Sequence, residues 1–223
     1  MADIVRPVLP NQAVNFAVVS VRIDLDSAQQ TVLQDLVSSA YRGVVVVWPV
    51  LDKCKVSILC IATTKTVLVL KNVRVATRTW RTSLQNTILC NAQVRVVGLD
   101  FGMVAYSLFS DLKCHISRGV DVHSALSPKA HDACTIMEEL LIGKAPKGAA
   151  LKLFREGKRK TDTESLAVAR AYVLAHTMLS EQYLPKILAV EEMHLASSRR
   201  FNTQVGFSMC NSRARLINEF ATL

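Results

Sequence analysis

Arg42-Gly43-Val44-Val45-Val46-Val47-Trp48-Pro49 carries four consecutive β-branched residues between a glycine and a proline. Valine is stiff at χ1 and suits the pleated surface of a sheet, so 43–48 reads as a strand. The apolar run 44–51 is the densest in the chain, yet it falls far short of the ~18 to 20 apolar residues of a membrane-spanning helix. Segments 55–62 and 66–71 have the same β-rich character, with Lys53 and Thr63-Thr64-Lys65 as polar turns between them. The three segments predict a three-strand meander.

Outward from this centre, 14–24 reads as a further strand. Asp26 and Ser27 follow as an N-cap, ahead of an amphipathic run with Val32, Leu33, Leu36 and Val37 on one face. Downstream, the pattern predicts a helix over 79–90, a strand over 93–98, a helix over 101–111 and a short strand over 118–122. After His123 it turns helical, at 129–142, 162–182, 185–200 and 208–221, with Pro185 breaking or kinking the tract. Strands first, then alternation, then helices imply an α/β fold, a mixed sheet flanked by helices. Residues 143–160 are the best loop candidate, with seven basic residues against one acid.

The chain has 223 residues, half of them hydrophobic, which suffices for one domain with a sizeable core. We divide it into a domain at 1–182 and a C-terminal helical extension at 183–223, which packs on that domain or serves association. The formal net charge of +9 favours polyanionic partners, nucleic acid first. Six scattered cysteines without a Cys-x-x-Cys pair argue against a zinc site or disulfide framework and for reduced thiols in the cytoplasm or nucleus. The N-terminus carries no secretory h-region. Neither a ligand-spaced histidine pair nor a nucleophile elbow nor a phosphate-cradling glycine loop appears, so no cofactor is expected.

Taken in order, several of these pieces resemble the DEDD-type 3′–5′ exonucleases, of the Werner and ribonuclease D kind, which have a ribonuclease H-like fold. Gly43-Val44-Val45-Val46-Val47-Trp48-Pro49 stands where that family carries Gly-Phe-Asp-x-Glu-Trp-x-Pro. Lys55-Val56-Ser57-Ile58-Leu59-Cys60-Ile61-Ala62 is similar to its Lys-Val-x-Leu-Leu-Gln-Leu-Ala strand. Val94-Arg95-Val96-Val97-Gly98 looks like the strand leading to the second acidic motif, and Gly119-Val120-Asp121-Val122 like the short strand after it. Leu166-Ala167-Val168-Ala169-Arg170-Ala171-Tyr172 is similar to the Tyr-Ala-x-x-Asp-Ala-Tyr helix. The resemblance covers roughly 14–182.

In active members, the resemblance implies, four carboxylates hold two divalent metals, one generating hydroxide and one stabilising the leaving oxygen. Position by position, the first motif's acids fall on Val45 and Val47, the second motif's on Gly102, and the third motif's on Arg170, with Leu166 in place of the water-orienting Tyr. Valine and glycine offer no side-chain oxygen, and magnesium-like ions need several. The expectation is a pseudo-exonuclease with no catalytic or metal site. Asp100 is the nearest stand-in acid; a helix cap is the competing role for it.

Two basic groups are candidates for phosphate contacts: Lys144, Lys147, Lys152, Arg155, Lys158, Arg159 and Lys160 in the loop, and Arg74, Arg78 and Arg81 around Trp80. A solvated loop and a core tryptophan are the alternatives. Inactive members of the family scaffold or dimerise in RNA-silencing and germline RNA-handling complexes. By that resemblance the expected role is an RNA-binding or protein-binding adaptor. A displaced-acid exonuclease and a protein-only dimerisation scaffold, joined through the apolar C-terminal helices, are the alternatives. The expected place is the cytoplasm or nucleus, a ribonucleoprotein granule included, and neither a membrane nor the exterior.

Overall fold

A computed structural model of the chain describes residues 2–10, 15–23, 29–52, 55–126, 133–142, 145, 146, 148–155, 163–190 and 192. Six strands, β1 (Ala17–Arg22), β2 (Val44–Asp52), β3 (Lys55–Ala62), β4 (Thr66–Lys71), β5 (Arg95–Gly98) and β6 (Gly119–Asp121), form one sheet in the order β1-β4-β3-β2-β5-β6. β2, β3 and β4 are the antiparallel meander the sequence predicts. β5 and β6 add in parallel beside β2, and β1 adds in parallel to β4, with Ala17 in register with Thr66.

Helices cover both faces. α1 (Ala2–Val5) precedes the sheet. α2 (Gln29–Ser39), α3 (Arg78–Leu84) and α4 (Phe101–Ser107) lie on one side, and α3 and α4 each run on into a π turn. α5 (Val122–Leu126), α6 (Ala133–Leu140), α7 (Ala149–Phe154), α8 (Thr163–Met178) and α9 (Leu184–Ala189) follow β6. One core joins Val45, Val47, Leu59, Ile61, Leu68 and Leu70 to Trp80, Leu84, Phe101 and Val104. The other joins Val44, Val46, Cys60, Val67, Val69 and Val97 to Val168, Ala171, Tyr172 and Ala175 of α8. With both faces covered, Val44, Val45, Val46 and Val47 are all 0% exposed, which is why this part of β2 reads as a continuous apolar run rather than an alternating one. From Ala167 onward α8 is buried on nearly every side, as a helix apolar all round should be.

Gly43 sets the entry to β2. Its φ is +68°, and a Cβ there would stand 2.2 Å from the Gln93 carbonyl oxygen. The backbone ahead of β5 approaches so closely that no side chain fits.

The helix expected over 129–142 is present as α6, with 129–132 outside the described residues, and α5 precedes it, starting directly from β6. Three expectations need correction. The loop expected over 143–160 contains α7, which forms because Ala149, Ala150, Leu153 and Phe154 bury one face. Pro185 does not kink a long helix; it sits in the first turn of α9, where its missing N–H costs nothing. Of the helix expected over 185–200, α9 ends at Ala189 with Val190 extended, and 191 and 193–200 lie outside the described residues. The proposed N-cap at Asp26 and Ser27, and the helix over 208–221, lie outside the described residues.

Leu184 and Ile187 of α9 enter the α8 core. Beyond α9, Glu192 is gripped by two arginines. Arg118 donates from Nε to Glu192 Oε2 at 2.7 Å and from Nη2 to Oε1 at 2.6 Å. Arg95 donates from Nε to Oε1 at 2.8 Å and from Nη1 to the Ile187 carbonyl at 2.9 Å. The segment after α9 is thus clamped to β5 and to Arg118, the residue just before β6. No helix among the described residues is long and apolar enough to cross a membrane.

Candidate functional site

α7 ends at Phe154, and the last carbonyls of any helix lack intrahelical partners. Arg170, midway along α8, supplies them: its Nε donates to the Leu153 carbonyl at 2.9 Å and its Nη2 to the Arg155 carbonyl at 3.3 Å. The same guanidinium lies over the Trp48 ring, 5.8 Å from its centroid. Trp48 in turn meets Phe154 edge to face at 5.6 Å. Trp48 from β2, Phe154 from α7 and Arg170 from α8 therefore close one junction. Leu166, one turn before Arg170, packs against the same core.

Alternation along β2 divides the five positions singled out in the sequence. Val44, Val46 and Trp48 face the α8 side, whereas Val45 and Val47 enter the opposite core. Gly102 stands on α4, whose apolar residues line that opposite core, with nothing within 4 Å of where its Cβ would be. The structure brings Leu166 and Arg170 together with Val46 and Trp48, and does not bring Val45, Val47 or Gly102 to them. Trp48 and Phe154 bring an indole and a phenyl ring to this junction, and Val46 and Leu166 belong to the core beside it. These residues do not fit a pair of divalent cations. Among the described residues, no group of three His, Cys, Asp or Glu side chains is placed to hold a metal ion.

Asp100 precedes α4 in the left-handed region, with φ 49°. Its side chain does not cap the helix. Its carbonyl accepts from the Met103 and Val104 amides at 2.9 and 3.2 Å, and Asp121 Oδ1 accepts from the Phe101 amide at 3.1 Å. The side-chain capping expected of Asp100 thus falls to Asp121, from the next strand. Burial pushes the Asp100 carboxyl above its ordinary value, the Met103 amide offsets part of the rise, and the Asp121 carboxylate adds to it.

The basic candidates separate. Lys152 and Arg155 are exposed on and just after α7. Lys144, Lys147, Lys158, Arg159 and Lys160 lie outside the described residues. Arg74 is engaged by the β2–β3 hairpin, through Asp52 Oδ2 and the Asp52 and Lys55 carbonyls. Arg81 donates to the Ala76 carbonyl at 2.9 Å, and Arg78 is exposed. Trp80 is 0% exposed, a core residue and not a stacking platform. Sequence reasoning missed the α7 cap and the Glu192 clamp, since both join residues far apart in the chain.

No family model matches the chain, and no curated protein matches it. Solved structures do. The catalytic core of RRP6 from Trypanosoma brucei superposes with a TM-score of 0.52 at 14% identity, over 80% of this chain and 51% of that one. RNase D from Escherichia coli, an exoribonuclease involved in structured RNA processing, superposes with a TM-score of 0.52 at 9% identity, over 78% and 46%. The chain spans about half the length of each.

Proposed function

We propose that this chain, which has the ribonuclease H-like fold of the DEDD-type 3′–5′ exonucleases, is a non-hydrolytic adaptor. It holds RNA, a protein partner or both within an RNA-processing or RNA-silencing complex. The observation that carries the reading is Arg170, bonded to the end of α7 and laid over Trp48. A metal-dependent phosphodiesterase gathers carboxylates around two cations. A guanidinium there repels each unit of metal charge by roughly 4 kcal/mol at a few ångströms and an effective dielectric of ~20. The junction of Trp48, Phe154 and Arg170 serves packing instead. The +9 net charge and the exposed Lys152 and Arg155 support a polyanionic partner.

The test is incubation of the purified chain with end-labelled single-stranded RNA and DNA in magnesium or manganese. The expected result is no shortening, with RNA retention that weakens as salt rises. Metal-dependent shortening that Asp100→Ala abolishes would overturn the adaptor reading in favour of an exonuclease with displaced acids. If neutralising Lys158, Arg159 and Lys160 together leaves RNA affinity and its salt slope unchanged, those three make no RNA contact. Size in solution tests the homodimer.

A further inference from the structure

The π turn Leu108–Leu112 that ends α4 sends its side chains two ways. Leu108 and Leu112 enter the core on the side of the sheet away from α8, whereas Phe109 is 37% exposed. A π turn inserts a residue into the helical ladder and is frequent where a side chain serves function. Phe109 does not stand alone. The His115 ring lies 5.0 Å from it, tilted by 47°, and Lys113 Nζ lies 5.7 Å from its centroid. Lys113 holds the left-handed conformation, φ 57°, and its ammonium donates to the Ser110 carbonyl at 2.9 Å. An ammonium carries three donors, so that bond leaves capacity for a further acceptor.

Two contacts bring the start of α3 to the same surface. The 3-10 turn Val73–Val75 packs beside the π turn, with Val75 60% exposed. Cys114 Sγ donates to the Arg81 carbonyl at 3.8 Å. Arg78 is exposed between these two points. Asp111, the acid of the π turn, accepts from the Val56 amide at 2.7 Å. The chain has no Asp or Glu between Asp52 and Asp100, against eight Lys and Arg. The surface therefore pairs an exposed aromatic ring with cations on a stretch poor in acids.

We infer that this surface binds single-stranded nucleic acid: a base stacks on Phe109 beside His115, and Arg78 and Lys113 take the flanking phosphates. Every base has a π face, so such stacking tolerates any sequence. Lys and Arg meet phosphates without reading bases. An acidic peptide would satisfy the cations and leave the ring pair in water. The inference rests on the adaptor reading for the kind of partner, and it names the surface that meets it, across the sheet from the Arg170 junction.

Fluorescence anisotropy of labelled oligouridine and oligothymidine, about a dozen nucleotides long, tests the surface on the full chain over a salt series. Binding of either strand supports it, and the tighter of the two names the natural ligand. Phe109→Ala should weaken binding about tenfold with the salt slope unchanged, and Phe109→Trp should keep it. Arg78→Gln with Lys113→Asn should make the slope shallower by about 1.4, at about 0.7 per lost phosphate contact. Asparagine tolerates the left-handed backbone at 113. In the unaltered chain, photo-cross-linking of a thiouridine strand should label the tryptic peptide 96–113, a readout that needs no substitution. Binding that survives both the alanine and the double variant, with cross-links elsewhere, overturns this surface and leaves the adaptor reading standing. An abasic strand of equal length bound as tightly overturns the base contact and the inference with it. No binding of either strand overturns the inference together with the RNA half of the adaptor reading.

Discussion

Arg170 lies over the indole ring of Trp48, its Cζ 5.8 Å from the ring centroid, while it donates to the Leu153 and Arg155 carbonyls. One guanidinium thereby joins β2, α7 and α8. Arg170→Ala should cost about 1 to 3 kcal/mol, because two carbonyls lose a charged donor and the ring loses its cation. Arg170→Lys should recover only part, since an ammonium lacks the planar fork. Urea denaturation midpoints measure both. Arg170→Asp should bind no manganese by calorimetry, because neither Val46 nor Trp48 adds an oxygen ligand.

Glu192 makes stability depend on acid pH. Hydrogen bonds from Arg118, and then from Arg95, lower its carboxyl from 4.5 to about 2. A carboxyl depressed in the folded state stabilises the fold above its unfolded value and loses that contribution as pH falls through the folded one. Denaturation midpoints of the native chain and of Glu192→Gln should differ most at neutral pH. The gap should close between 4.5 and about 2. A gap that does not change with pH would contradict the clamp.

Two glycines should respond in opposite ways. Gly43→Ala meets both a positive φ and a carbonyl oxygen at 2.2 Å. The expected loss is about 2 to 4 kcal/mol. Gly102→Ala finds open space within α4 and should gain up to about 1 kcal/mol in helix propensity. Thermal denaturation of the two variants separates the outcomes.

Burial pushes the Cys60 thiol up to about 12 and the Cys114 thiol up to about 11. The thiolate is the reactive form, so neither should be alkylated by iodoacetamide at pH 8 until the chain unfolds. Peptide mapping after brief labelling, with and without urea, checks this. Rapid native labelling at Cys60 would refute its burial.

Much of the sheet was legible. The meander 43–48, 55–62 and 66–71 appears as β2, β3 and β4, because β-branched runs with polar turns have few other solutions. The facing of β2 was not. Where every residue from Val44 to Val47 is buried, alternation carries no signal, and a one-residue difference in frame exchanges the faces. The motif frame gave Val45 and Val47; the residues on Arg170's side are Val46 and Trp48. α7 escaped notice because six residues set among glycines and lysines show too little periodicity, and only the tertiary burial of Ala149, Ala150, Leu153 and Phe154 justifies the helix. The Arg95–Glu192–Arg118 clamp had no local signature, because tertiary packing alone unites its members.

Among the described residues, β1 borders β4 alone, and its first residue pairs with Thr66. On a ribosome it emerges while that neighbour is still unmade, so the first of the described strands in chain order has to wait. The meander must assemble first and receive the N-terminal segment as a late addition at the rim, since distant pairings bear the loop-closure cost before any contact offsets it. Peeling that rim away would shorten the sheet by one strand and leave the junction around Arg170 standing.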